Sequence, residues 1–251
     1  MRDLAAALGL LTVVPVPTRM TEKLVVKPAA WFPLVGLFLG ACGWTLAVGL
    51  QAVSRLGSLP HGAPLTVAAL VVASWCLLTR FLHWDGLADV ADGAWASSDP
   101  SRRLEVMADS HTGAFGATAV ALVAIVQVAA ASEAIASGRL AVLIAAPVLG
   151  RLAATFGAWL GTPARPSGLG ASVLGRPRAV DVLVTCVTLA ACAFVYAAAG
   201  GGWLAPTAGA LAAPVLPHLL ARRFGGVTGD VLGASVLLTE TVVLVVVAVL
   251  G

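Results

Sequence analysis

Asp85, Asp89 and Asp92 stand four and three residues apart within RFLHWDGLADVADGAWASSDPSRRLEVMADSHTGAFG, residues 80–116, and Asp99, Glu105 and Asp109 follow in the same stretch. If residues 85–92 are helical, the i, i+4, i+7 spacing lines three carboxylates along one face, where they repel one another. A positive partner is required there. Aligned carboxylates suit a hard divalent cation, because Mg²⁺ takes oxygen ligands and bridges a few carboxylates to substrate phosphates. In a soluble protein a solvated acidic face would be the better reading. This chain has only 12 acidic residues among 251 and is 59% hydrophobic. Six acids in one segment therefore point to a functional site, as acids in or beside a membrane generally do.

A second polar island, ARRFGGVTGDVLGASVLLTE, covers residues 221–240. Arg222 and Arg223 either end a span as ordinary flanking charges or clamp an anion. Gly225, Gly226 and Gly229 favour the second role, since a glycine-rich turn before a helix presents backbone N–H groups to phosphate oxygens. Asp230 opens an apolar run, where it is either a helix cap or a metal ligand. Glu240 lies ten residues further on, inside that run, so it must be paired, protonated or turned to the interior of a bundle. His83, beside the acidic segment, Asp109, near His111, and any aspartate of the 85–92 set that a metal leaves free are candidate proton acceptors. His61 and His218 have no acidic neighbours and are read as structural.

The elements that position these islands follow from composition. Only 11% of residues are charged and the mean hydropathy is +0.97, which describes a polytopic membrane protein. The expected fold is an all-α helical bundle in one domain spanning residues 1–251. About seven membrane helices are expected, near 32–53, 64–82, 114–136, 140–160, 180–199, 203–220 and 231–250, after an N-terminal interfacial helix. Gly36 and Gly40 give the GxxxG spacing that lets helices approach closely. Cys42, Cys76, Cys186 and Cys192 sit in apolar runs and read as small buried hydrophobes, neither a disulfide framework nor a zinc site. No HExxH, GxSxG, Walker A lysine or Rossmann glycine motif is present, which argues against zinc proteases, serine hydrolases and P-loop ATPases. Nothing suggests a nucleic-acid partner, and a homo-oligomer is left open.

Orientation follows from the basic residues. With a cytoplasmic N-terminus, Arg2, Arg19, Lys23, Lys27, Arg80, Arg102, Arg103, Arg165, Arg176, Arg178, Arg222 and Arg223 fall inside. Arg55 and Arg139 fall outside, and Arg151 lies within a span. This asymmetry predicts that both polar islands and the loop GTPARPSGLGASVLGRPR share the cytoplasmic face.

The sequence also resembles a known family. HWDGLADVADG followed by DSHTGAFG, with WFPLVGLFLG before them and ARPSGLG and RRFGGVTGDVLGA after, is similar in order and content to the cobalamin synthase (adenosylcobinamide-GDP ribazoletransferase) family, over residues 10–240. The resemblance implies a Mg²⁺-dependent integral enzyme of the prokaryotic inner membrane. It implies condensation of adenosylcobinamide-GDP with α-ribazole or its 5′-phosphate, giving adenosylcobalamin or its phosphate and GMP, in the nucleotide loop assembly of vitamin B12. Carried onto this chain, the family's motifs fall on Asp85, Asp89, Asp92, Asp109, Gly229, Asp230 and Glu240. The expected metal set is Asp85, Asp89, Asp92 and Asp230, and the expected phosphate clamps are Arg102, Arg103, Arg222, Arg223 and Arg165, with Gly229 beside them. The 5′-hydroxyl of α-ribazole is the expected nucleophile. His111, Ser167 and Val236-Leu237 depart from the family's usual arginine, glutamate and Asn-Glu, so only the aspartate framework carries over intact. A CDP-alcohol phosphotransferase is the nearest alternative, but Asp89 occupies the arginine position of its DGxxAR motif. A cation or substrate transporter would place acids near the midplane in repeated halves, whereas here they cluster at one face.

Overall fold

A computed structural model describes residues 2–16, 27–56, 64–109 and 111–251. Arg19, Lys23, His61 and most of the polar connector expected at 18–30 lie outside the described residues. The regular structure described is helical: α1 (Arg2–Leu11), α2 (Phe32–Leu56), α3 (Pro64–Leu78), α4 (Leu82–Ala96), α5 (Pro100–Val106), α6 (Ala114–Ala136), α7 (Val142–Leu160), α8 (Leu169–Val173), α9 (Ala179–Ala198), α10 (Leu204–Phe224) and α11 (Gly229–Leu250). Six of these helices are long and apolar enough to cross a membrane, and the bent pair α3–α4 brings the count to seven if it is one broken span. The protein is a multi-pass membrane bundle.

α7 is its axis. In its most apolar window 83% of residues are buried, against 22% for α6 and α10, so α7 lies inside while those helices face lipid. α2 packs on it through the GxxxG pair. A β-carbon at Gly40 would come 2.7 Å from the Cα of Ile144, and one at Gly36 would collide with the Pro147 carbonyl. Small residues are what permit backbone contact where lipid supplies no hydrophobic force between helices. The four cysteines are unpaired, Cys76 and Cys192 being buried as expected and Cys186 exposed.

The second expected span is corrected. α3 stops at Leu78, and α4 departs from it at 89°. Arg80 and Phe81 take left-handed φ angles of 53° and 57°, which cost a residue with a β-carbon about 1–2 kcal/mol each. The break is held by Phe81 N–H donating to the Cys76 carbonyl at 2.9 Å and Arg80 N–H to Leu77 at 3.2 Å, a closure usually marked by glycine. The Arg80 guanidinium also donates to the Gly9 carbonyl at 3.0 Å, and Val13 N–H donates to Leu78 at 2.8 Å. The N-terminal helix thus braces the bend. Asp3 extends this bracing, accepting from Arg178 at the start of α9 at 2.6 Å.

Candidate active site

α4 turns its polar stripe outward and its apolar face inward. His83, Trp84, Gly86, Leu87, Ala88 and Val90 are buried, Asp89 and Asp92 are half-buried, and Asp85 is exposed. The helix expected over 85–92 is present, so the three carboxylates share one face. Among the described residues, neither Asp85 nor Asp89 finds a hydrogen-bond donor or a cation. Asp89 is repelled by Asp230, Asp85 and Asp92, which brings the acids of the two islands into one electrostatic cluster.

Asp92 has a further task. Its carboxylate accepts from Gly113 N–H at 2.7 Å and Gly116 N–H at 2.9 Å, so it caps the start of α6, whose own N-cap is a glycine without a side chain. This explains the glycines of DSHTGAFG. A β-carbon at Gly113 would lie 2.5 Å from Asp92 Oδ1, and one at Gly116 would collide with Oδ2.

Asp230 arrives from the other half of the chain. Thr228 is the N-cap of α11, its hydroxyl accepting from Val231 N–H at 3.1 Å. Asp230 is therefore one residue inside the helix, and the cap reading of its carboxylate is replaced. Gly86 backs directly onto it: a β-carbon there would be 2.9 Å from both the Cα and the carbonyl oxygen of Asp230. α4 and α11 touch backbone to backbone beside Asp85 and Asp89.

The loop after α7 completes the face. Pro163 and Val227 form a parallel bridge, with Ala164 N–H donating to Val227 at 3.1 Å and Val227 N–H to Thr162 at 2.8 Å. Gly226 has no room for a β-carbon against Ala164, nor Gly170 against Thr228. Between the two segments a cavity of about 120 Å³ is lined by Arg165, Ser167, Gly168, Thr228, Gly229 and Asp230. Arg165 attracts Asp230 and donates to the Leu104 carbonyl of α5.

The remaining expected residues divide. Arg103 is a structural tie, donating to Ser97 at 2.6 Å and to the Arg223 carbonyl at 2.8 Å. Arg102 pairs with Glu105 at 2.7 Å in solvent. The Arg222 and Arg223 side chains are exposed and, among the described residues, unpaired. Asp109 accepts from His111 Nδ1 at 2.7 Å and from its backbone N–H at 3.0 Å, bonds that hold its carboxyl below the ordinary range. His83 is not brought to the cluster. It is 3% exposed and lines a small interior cavity with Gln127, Arg151 and Glu240. Glu240 is paired there with Arg151, as its place inside a span demands. The sequence reading placed Arg151 only within a span; an arginine in an apolar run, with Glu240 the matching acid, was the available signal.

Among the described residues no three Asp, Glu, His or Cys side chains close around one point as a finished metal cage would. The array is open, and its free donors are all carboxylate oxygens. That fits Mg²⁺, which keeps several waters and takes one or two carboxylates together with substrate phosphate, better than it fits a metal needing a preformed cage.

A family model described as cobalamin-5-phosphate synthase matches residues 3–248. Curated relatives called adenosylcobinamide-GDP ribazoletransferase include that of Syntrophobacter fumaroxidans, 38% identical over 232 residues, covering 91% of this chain and 89% of the relative. That of Frankia casuarinae is 38% identical over 268 residues, covering 99% and 95%. That of Stutzerimonas stutzeri is 36% identical over 251 residues, covering 98% and 97%. No solved structure matches the chain.

Proposed function

The chain belongs to the cobalamin-5-phosphate synthase family, and we propose that as a membrane transferase of cobalamin synthesis it joins adenosylcobinamide-GDP to α-ribazole, or to its 5′-phosphate, with release of GMP. One observation carries the reading: carboxylates from opposite halves of the chain, Asp89 and Asp230, repel each other across the place where α4 and α11 touch, beside a glycine-lined cavity of phosphate size that Arg165 also lines.

The bond changes are those of phosphoryl transfer. A ribose hydroxyl oxygen bonds to the cobinamide-side phosphorus, the bond from that phosphorus to the bridging diphosphate oxygen breaks, and GMP leaves with that oxygen and its electron pair. In the 5′-phosphate the 5′ position is already esterified. The nucleophile common to both acceptors is therefore another ribose hydroxyl, which replaces the 5′-hydroxyl expected from the sequence. Asp85, Asp89, Asp92 and Asp230 would hold Mg²⁺, which when bound supplies neutralisation of the diphosphate charge. Arg165 and the Gly229 backbone receive phosphate oxygens in their cavity, and Arg222 and Arg223 supply long-range attraction from the rim. The hydroxyl proton passes to a cluster carboxylate that the ion leaves free. Asp109, bound by His111, is the weaker acceptor, because a carboxyl held below its usual range gives up basicity. The basic residues of the connecting loops support an active site on the cytoplasmic face of the membrane.

Purified protein in detergent with Mg²⁺, adenosylcobinamide-GDP and either acceptor tests this. The reading expects GMP and the joined corrinoid to appear in equal amounts, dependent on Mg²⁺. Corrinoid binding without GMP release would overturn it in favour of a carrier.

A further inference from the structure

We propose that the buried Arg151–Glu240 pair, together with the Gln127 hydrogen bonds that flank it on α11, is a positioning device that fixes the rotation of α11 about its own axis and so holds Asp230 in register with Asp85 and Asp89; the proposal rests on the transferase reading above. Both side chains are only 3% exposed, and Arg151 Nη1 donates to Glu240 Oε1.

The need for such a device comes from the interface at the site. α11 meets α4 through two glycines: Gly86 lies against Asp230, and a β-carbon at Gly233 would sit 3.3 Å from the Cα of His83. A contact of this kind brings backbones close but has no knob seated in a hole, so it does not by itself resist rotation. The rest of α11 is largely Val, Leu and Ala, whose packing is non-directional. Directional contacts lie on either side of this interface: the Pro163–Val227 bridge holds the turn that precedes α11, and others occur further down the helix. Gln127 of α6 donates to the Leu237 carbonyl at 3.3 Å and to Thr241 Oγ1 at 3.1 Å. Arg151 of α7 holds Glu240, and Gly150 beside it leaves room for Glu240 Cγ, which a β-carbon would approach to 2.6 Å. Glu240 is ten residues from Asp230, about 15 Å along a helix rising 1.5 Å per residue. The intervening backbone hydrogen bonds make that segment a rigid rod, so its azimuth at Glu240 sets the azimuth at Asp230. His83, on α4 two residues before Asp85, lines the same small cavity as the pair. The lock thus fixes α11 against α7, with α4 bordering it at His83.

A buried ion pair is weak evidence for stability, since apolar replacement of both partners is often neutral for folding, whereas removal of one partner strands a charge. The test uses that asymmetry. Arg151→Met, Glu240→Leu and the double variant are purified in detergent and compared by thermal unfolding, by Mn²⁺ affinity from the resonance of free Mn²⁺, and by kcat and KM. Each single variant should lose thermal stability, because it strands a buried charge. The double variant should recover it, yet bind Mn²⁺ about tenfold more weakly and turn over about tenfold more slowly with KM unchanged. Wild-type Mn²⁺ affinity and turnover in the double variant would overturn the proposal and leave the pair a packing feature. Gln127→Leu strands no charge and decides the matter if the others fail to fold. About threefold weaker Mn²⁺ binding, the size of a typical interhelical hydrogen bond, supports the lock; unchanged affinity overturns it. If the wild-type protein releases no GMP while the Mn²⁺ differences hold, the transferase reading fails and the lock stands.

Discussion

Asp230 follows a helix start that Thr228 has already capped, so its carboxylate is not needed to begin α11. Asp230→Asn should therefore change stability by no more than about 1 kcal/mol, the loss of a favourable N-terminal charge being offset by relief of repulsion from Asp89. Turnover should nevertheless fall at least about tenfold and the Mg²⁺ requirement rise, because a neutral amide is a poor ligand for a hard cation. Wild-type kinetics would remove Asp230 from the site. Asp92 behaves differently, since it also caps α6. Asp92→Ala should lower stability by about 0.5–2 kcal/mol, and Gly116→Ala by about 1–3 kcal/mol through collision with the same carboxylate. Asp85→Asn and Asp89→Asn should lose activity while unfolding at an unchanged or higher temperature without metal, since each removes a like charge. Thermal unfolding of the four proteins separates the cap from the cluster. The aspartates were legible because their spacing is helical and their setting apolar. The second duty of Asp92 was not, because a cap supplied from a distant helix leaves no local pattern around the capped residue.

At the scale of elements, close helix contact decides what the site can hold. Gly86→Val would push α4 away from the Asp230 backbone, and a displacement near 1 Å in a catalytic array costs on the order of a hundredfold in rate. The expected outcome is a folded protein with weakened Mn²⁺ binding and turnover; wild-type kinetics would show that the glycine contact does not set the distance between the carboxylates. The GxxxG pair of α2 and the inward turn of Glu240 followed directly from residue type and spacing. The end of α3 did not. Its left-handed residues are Arg80 and Phe81, and without a glycine or proline the apolar run reads straight through to Leu82. What stabilises the bend is tertiary, the Arg80 bond to Gly9 and the Val13 bond to Leu78, so one-dimensional periodicity has no access to it.

At the scale of the whole molecule, contacts among α4, the 161–168 loop, the start of α6 and the start of α11 bring the acids of α4 and Asp230 into one region, and the basic residues predict the cytoplasmic face for it. Cysteines at exposed Ser98 and Ser167, in a background lacking the four native cysteines, should label from the cytoplasmic side of intact cells. A cysteine at Gly202, where a β-carbon meets nothing within 4 Å, should label from the other side. Labelling of Ser98→Cys and Ser167→Cys from opposite sides would break the account of a shared face. Gly226 is unsuitable for such a probe, since its φ of 157° and its contact with Ala164 exclude a side chain. The joining of the α4 acids and Asp230 around one ion is tested most directly by a structure of the protein with Mn²⁺ in place of Mg²⁺. The account predicts one metal position in direct contact with both Asp89 and Asp230, at about 2.0–2.1 Å as for a Mg²⁺-like ion. Metal bound by α4 alone, with the Asp230 carboxylate turned away from it, would contradict the account.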